Sequence, residues 1–342
     1  MKKFLLLFAG LICGTMLQAA ETDTPSLADL SKPVKMSIPQ KTILMADPTI
    51  FYEDGTYYIY GTDGVPDGNC TMGFVAYKST DIEHWEGPIG PDKGYVLTKE
   101  GGKVFGTTWF WAPQVFRYKG SYRMAYAANE YIAIAESDSP AGPFIQKKVE
   151  KLPTDVKQID PYVFFDDDGK IYLYHVRLEG GNKIFVAELN EDLSAIKRDT
   201  LKLCIAPTKD TWENVTNADW GVAEGPTVLK KDGKYYLFYS ANGYTDKAYA
   251  VGYAVADSPY GPWKRYKNNP VLCEKMFDLP GTGHGDFYTT KEGELHYIFH
   301  IHNDHNKIGP RRSVDVRFVT EKVDGETVFK ALPGTLKFMI KK

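Results

Sequence analysis

Apolar and polar residues alternate along this chain in short runs, and each run is turned back on itself by a glycine. From Gly221 to Ser240 it reads GVAEGPTVLKKDGKYYLFYS: an acid-Gly-Pro corner, an apolar run, a Lys-Asp-Gly turn and an aromatic run back. Strand-forming runs on both sides of a turn that ends in Gly predict a β-hairpin. The phrase recurs. Asp47-Pro48 opens TIFYEDGTYYIY, Ala112-Pro113 opens QVFRYKGSYRMAY, Asp160-Pro161 opens YVFFDDDGKIYLY, and Gly285-Asp286 opens FYTTKEGELHYIF. The turn glycines Gly55, Gly120, Gly169, Gly233 and Gly293 put the copies about 50 to 65 residues apart, a spacing that suits propeller blades with loop insertions.

Five copies predict an all-β, five-bladed β-propeller. A weaker echo supports it: SDSPAGPF from Ser137 to Phe144 and DSPYGPW from Asp257 to Trp263 repeat one outer turn in blades two and four. Radial repetition leaves only short, protected sheet edges, so a chain of this kind avoids edge-to-edge aggregation. The repeats fill nearly all of the 342 residues, which predicts one propeller over residues 41–342 and no second globular module.

Composition narrows the function. The chain is rich in Tyr, Phe and Gly, its net charge is -3, and it shows no basic stripe, which argues against a nucleic-acid partner. Lys2 and Lys3 precede an apolar run from Phe4 to Cys13, and small residues follow Gln18, so residues 1–20 read as a secretory signal, too short to span a membrane. Ile12 before Cys13 fits a lipid anchor poorly. Secretion or a periplasmic location is therefore expected, with residues 21–40 as a polar leader or tether. Cys70, Cys204 and Cys273 are too few and too scattered for a disulfide scaffold or a zinc site.

Propeller geometry turns a comparison of repeats into a prediction of the site, because equivalent residues of the innermost strands converge on one mouth of the channel. Just before the proline the copies hold Asp47, Ala112, Asp160, Gly225 and, in blade five, Gly285. One position earlier stand Glu224 and His284, where blades one and three have Ala46 and Ile159. Asp-Pro is a common turn opener and a lone Asp47 needs no function. Three acids sharing a mouth are a different matter, since like charges held close are costly unless used. Such a set suits glycoside hydrolysis: one carboxyl protonated to serve the departing oxygen, one ionised to activate water, and a third to hold the acid's pKa up.

The openings ADPTIFYEDGTYYIY, IDPYVFFDDDGKIYLY and VAEGPTVLKKDGKYYLFYS, with WAPQVF between the first two, resemble those of glycoside hydrolase family 43, over about residues 41 to 320. The resemblance implies Asp47 as general base, Asp160 as pKa modulator and Glu224 as general acid, with inversion at the anomeric carbon. It also implies that His284 lies near a central calcium, and that an arginine of the last blade, Arg311 or Arg312, pairs with Asp160.

Around the acids, the cluster TTWFW from Thr107 to Trp111 offers aromatic faces to a sugar ring, and Trp220 stands four residues before Glu224. Trp111, Trp220, Arg311 and Arg312 are the expected substrate contacts, while Trp109 and Phe110 serve equally as core. Five of the seven histidines fall between His284 and His305, and His296, His300 and His302 share one strand face. With no cysteine nearby, that face reads as pocket lining or a structural ladder and not as a zinc site.

The expected function is hydrolysis of a plant-type polysaccharide or oligosaccharide by a monomer. An exo-acting α-L-arabinofuranosidase or β-xylosidase leads, with an endo-arabinanase or exo-galactosidase as alternatives. A non-catalytic carbohydrate-binding propeller would lack an acid, and a phosphorylase would need a cationic pocket. The longer inserts 63–74 and 209–222 are candidate walls.

Overall fold

The computed structural model describes residues 25–63 and 71–342; the expected signal segment and Cys70 lie outside them. Five antiparallel sheets form the blades of a propeller. Blade one comprises β1 (Met45–Glu53), β2 (Thr56–Asp63), β3 (Gly73–Ser79) and, beyond the short β4 (His84–Trp85), β5 (Tyr95–Thr98). Blade two holds β6 (Trp111–Tyr118), β7 (Ser121–Ala128) and β8 (Tyr131–Ser137), its fourth position reduced to a single bridge between Glu136 and Ile145. Blade three runs through β9 (Gln158–Phe165), β10 (Ile171–Leu178), β11 (Asn182–Glu188) and β12 (Lys202–Ile205). Blade four follows with β13 (Ala223–Lys231), β14 (Lys234–Ala241), β15 (Ala250–Ala256) and β16 (Lys264–Arg265). Blade five has β17 (Gly283–Thr289), β18 (Leu295–Ile301), β19 (Arg312–Val323) and β20 (Glu326–Ala331), with β21 (Lys337–Phe338) beside β19.

The innermost strands close a ring. β1 lies against β6 and β17, β6 against β9, and β13 against β9 and β17. Both chain ends fasten it: Leu44 bridges Arg312 of β19, and the last strand, β22 (Ile340–Lys341), pairs with β4 of blade one. Residues 25–40, expected as a tether, are instead docked. Val34 donates its N–H to the Met276 carbonyl, and Val34, Met36 and Ile38 pack on the core shared by blades four and five. Their every-second-residue spacing is that of an extended segment with one apolar face.

The hairpin turns take the form their residues favour. In blades one, two and four, Asp54-Gly55, Lys119-Gly120 and Asp232-Gly233 all have positive φ, as a two-residue type I′ turn requires. The outer-turn echo has a physical use as well. Buried Tyr60 of blade one donates its hydroxyl to the Pro140 carbonyl at 2.6 Å, and Tyr174 of blade three donates to Pro259 at 2.7 Å, so each echoed turn is stapled by the preceding blade.

Each innermost strand carries a β-bulge near its start, where the register with its partner slips. One residue per bulge is left-handed: Asp47 (φ 48°), Ala112 (43°), Asp160 (53°), Gly225 (58°) and His284 (42°). This corrects the reading of blade five. His284, and not Gly285, is the counterpart of Asp47 and Asp160. The proline that marks the phase elsewhere is replaced there by Gly285, so a sequence comparison slides by one residue. Bulges re-aim side chains next to active sites, and here they turn those of Asp47, Asp160 and His284 toward the axis.

Candidate active site

A cavity of about 560 Å³ opens at the bulged end of the ring. Asp47, Asp160, Glu224 and His284 all line it, so blades one, three, four and five contribute to one site. Blade two adds Trp111, and Trp109, Trp220, Tyr244, Glu130, Asn182 and Arg311 complete much of the wall. Trp109 and Trp111 stack at 5.8 Å with planes 19° apart, and Trp109 holds a left-handed backbone (φ 56°) that is costly for a bulky side chain. Phe110 is core, stacked on Tyr126 and edge-on to Phe74.

Glu224 sits one position before its bulge residue, Gly225. At that next position the ring of His284 comes so close that a Cβ on Gly225 would stand 2.8 Å from its carbons. Gly225 also donates its N–H to Asp160 Oδ2 at 3.0 Å, tying the strand of one acid to the carboxyl of another. Glu224 Oε1 accepts from the Tyr249 hydroxyl at 2.8 Å and Oε2 from Asn182 Nδ2 at 2.9 Å.

Asp47 is held differently. Its Oδ2 accepts from Thr62 Oγ1 at 2.6 Å, and Thr62 Oγ1 in turn accepts from the Ala112 N–H at 2.9 Å, which directs the hydroxyl proton at the carboxylate. The Asp47 N–H donates to His300 Nδ1 at 3.1 Å, and His284 Nδ1 lies 3.2 Å from Oδ1. His284 is also 3.9 Å from Asp160, and its own N–H donates to Ser240 Oγ at 2.8 Å.

The electrostatics separate the acids. Burial by itself would raise Asp47, yet His284, His300 and Arg311 outweigh it and hold the carboxyl well below the usual range. For Glu224 burial dominates and the Asp160 charge adds to it, against smaller opposing effects of His284 and Tyr249, so its pKa is pushed up to about 7. Burial also raises Asp160, with Asp47 adding to it and His284 and the Gly225 N–H opposing. His284 is raised because three carboxylates outweigh its burial, whereas burial takes His300 down to about 4. The cavity thus holds both an ionised carboxylate and a protonatable one at neutral pH.

Arg311 enters the cavity and Arg312 does not. Arg311 is 5% exposed, lies over the Tyr244 ring, and has an Nε without a hydrogen-bond partner. Its charge acts on Asp47; among the described residues no ion pair joins either arginine to Asp160, contrary to the expectation. Arg312 turns away, donating to the Asn303 carbonyl and Oδ1 and to Thr42, because it starts β19 where the ring is fastened. The histidine face is a ladder: His296 pairs with Asp315 at 2.7 Å, His300 meets Asp47, and His302 donates to the Tyr244 carbonyl at 2.8 Å.

A calcium at His284 would need a shell of oxygen ligands. Asp286, two residues on, already accepts from Thr49 and Thr227 at 2.7 and 2.8 Å, and His284 Nδ1 faces Asp47 and Asp160. Among the described residues no group of three or more His, Cys, Asp or Glu side chains is placed to hold a metal. The protein groups present do not by themselves form a cation cage, so a calcium at His284 would have to take most of its ligands from water. Cys204 and Cys273 are free thiols.

Sequence reasoning missed Thr62, Ser240, Asn182 and Tyr249, and read His300 only as one member of a pocket-lining or structural histidine face. Thr62, Ser240 and His300 share a repeat phase of their own. On the returning strand, the residues opposite the pre-bulge position are Thr62, Ala127, Val176, Ser240 and His300, and the three polar ones all touch the site. Comparing the second strands as the first were compared would have found them. Asn182 and Tyr249 sit at or before third strands, after connections of unequal length, and carry no such mark.

Carboxyl groups from three blades in one axial cavity, walled by indole faces, define a class of propeller built to hold a sugar among acids. The sequence model of glycosyl hydrolases family 43 matches residues 37–325, and the chain belongs to that family of glycosidases. Among solved structures it is similar to an endo-1,4-β-xylanase from Bacteroides thetaiotaomicron, with 38% identity and a TM-score of 0.78 over 90% of this chain and 100% of that one. A β-D-galactofuranosidase from Aspergillus niger is 28% identical over 78% of this chain and 82% of its own length. A β-xylosidase from Xylanibacter ruminicola is 29% identical over 64% and 77%. Among the described residues no helix is long and apolar enough to cross a membrane.

Proposed function

We propose that this glycosidase is an exo-acting α-L-arabinofuranosidase or β-xylosidase on plant-type oligosaccharides or polysaccharides, working with inversion. One observation carries the chemistry: in a single cavity Asp47 is held well below the ordinary carboxylate range while Glu224 is raised to about 7. Asp47 is the general base, drawing a proton from the water that attacks the anomeric carbon. Glu224 is the general acid, delivering its proton to the departing glycosidic oxygen as the bond breaks. Asp160 raises the proton affinity of Glu224 by its charge and is oriented by the Gly225 N–H. The stacked Trp109 and Trp111 offer a face for the sugar ring.

An endo-acting enzyme is the second reading, favoured by the endo-1,4-β-xylanase at 38% identity. Aryl glycosides and xylan, arabinan and galactan oligomers, assayed with and without chelator, separate the two. Single sugars as the first product support exo action, whereas internal fragments support the endo reading. NMR of the first-formed anomer tests inversion, and undiminished turnover after chelation would exclude an essential calcium. The reading includes a secreted or periplasmic monomer, checked by cell fractionation and light scattering.

A further inference from the structure

The carboxyl assigned above as the general acid is gripped by a chain of two residues. Trp220 Nε1 donates to Asn182 Oδ1 at 2.9 Å, and Asn182 Nδ2 donates to Glu224 Oε2 at 2.9 Å. An indole nitrogen can only donate, so it fixes which end of the Asn182 amide faces the acid. That end is also donor-only. The proton of Glu224 is therefore kept off the edge facing Asn182. It is left to the side open to the cavity, or to Tyr249, whose hydroxyl can turn from donor to acceptor.

The backbone is built to hold this chain. Asn182 begins β11 directly after Gly180 and Gly181, and its N–H donates to the Gly221 carbonyl at 3.0 Å. A Cβ on Gly181 would stand 2.8 Å from that carbonyl oxygen, so the close approach depends on glycine. The loop carrying Trp220 is pinned from beneath by buried Glu213, which binds Arg265 Nε at 2.6 Å and the Thr208 N–H at 2.8 Å, and by Asn214, which is bonded to Ala218 through both ends of its amide. Trp220 is nevertheless 52% exposed at the cavity wall. A half-exposed indole held this firmly, with its nitrogen committed inward, leaves its face to a ligand.

We propose that Trp220 and Asn182 are positioning residues for the general acid, forming a relay through which a sugar on the leaving-group side, packed on the Trp220 face, sets the orientation and proton edge of Glu224. The inference rests on Glu224 being the acid. When the proton leaves for the glycosidic oxygen, the new carboxylate finds two donors waiting, Asn182 Nδ2 and the Tyr249 hydroxyl. The other charged or titratable groups toward Glu224 are Asp160 from β9, Asp47 from β1 and His284 from β17, with Glu130 and Arg311 farther along the cavity wall.

The test compares wild type with Trp220→Phe, Asn182→Ala, the double variant and Glu224→Gln on aryl glycosides whose phenols span a wide range of acidity. Trp220→Phe removes the N–H and keeps a smaller aromatic face; melting curves check that each variant folds. The relay predicts that both single changes lower kcat/KM about tenfold on poor leaving groups while sparing good ones, and move the alkaline limb of the pH profile upward. The double variant should be no worse than Asn182→Ala. An unmoved alkaline limb and unchanged leaving-group dependence in both single variants would overturn the relay, as would effects that multiply in the double. If Glu224→Gln fails equally on good and poor leaving groups, the acid assignment itself is lost, which is a separate result.

Discussion

Gly225 and His284 occupy the same bulge position in neighbouring blades, and one leaves room for the other: a Cβ on Gly225 would meet the imidazole carbons at 2.8 Å. The left-handed backbone is not what demands glycine, since Asp47, Ala112 and Asp160 adopt it at the equivalent positions. The demand is for space. Gly225→Ala is therefore expected to push His284 away from Asp47 and Asp160, lowering stability by about 1–3 kcal/mol, as overpacking does, and removing most activity. Thermal melts and turnover of an aryl glycoside check both.

The acid and base assignments predict opposite sensitivities to the leaving group. Glu224→Gln should lower kcat/KM by roughly 10²–10⁴ on substrates with poor leaving groups and far less on activated ones, because only the former need the proton. Asp47→Asn should cripple both alike. Equal, mild losses from the two changes would argue against these roles.

Those assignments follow from positions that the sequence displays. The bulge residues of the innermost strands stand out because a hairpin turn and, in four blades, a proline fix their phase. Asp47, Asp160 and Glu224 were legible for that reason, while His284 was misplaced by one residue where the proline is missing. Thr62 and Ser240 were hidden because the returning strand has no turn or proline at that point. Arg311 could not be told from Arg312 in sequence. Adjacent residues of an extended segment face opposite ways, and only the closure of the ring decides which one looks inward.

Thr62 ties the proton state of Asp47 to blade two. Its hydroxyl accepts from Ala112 and can therefore only donate to the carboxylate. Thr62→Val removes a donor from an ionised group, a bond of the kind worth about 1.5–3 kcal/mol, and leaves the Ala112 N–H without its acceptor. The acid limb of kcat/KM, set by Asp47 well below the usual carboxylate range, should move to higher pH while the alkaline limb near 7 stays in place. A narrowed bell-shaped profile is the expected outcome.

The raised Glu224 makes stability depend on pH in a definite direction. Its folded value, about 7, lies above the ordinary 4.5, so the native state holds this proton more tightly than the unfolded chain does. That contribution is fully present below about 4.5 and is lost as pH rises through about 7. Glu224→Gln, which never ionises, should thus melt higher than wild type at pH 8 and lose that advantage on acidification. Paired melts at pH 5 and pH 8 would show it. A variant less stable at both would mean that its contacts to Tyr249 and Asn182 outweigh the buried charge.

Arg311 and Arg312 separate function from stability one residue apart. Arg312 clasps Asn303 and Thr42 where Leu44 joins β19, so Arg312→Ala should cost about 1–3 kcal/mol of stability and leave kcat/KM near wild type in whatever fraction stays folded. Arg311 does the reverse. It is buried against Tyr244, its Nε has no protein partner, and its charge helps keep Asp47 ionised. Arg311→Ala should therefore raise KM by removing the guanidinium from the cavity wall. It should also shift the acid limb upward, because Asp47 loses one of the positive charges that offset its burial. Arg311→Lys keeps a charge without the planar fork, so it should restore the acid limb more fully than KM. Should Arg311→Ala instead leave both KM and the acid limb where they are in wild type, the arginine would have no part in the site.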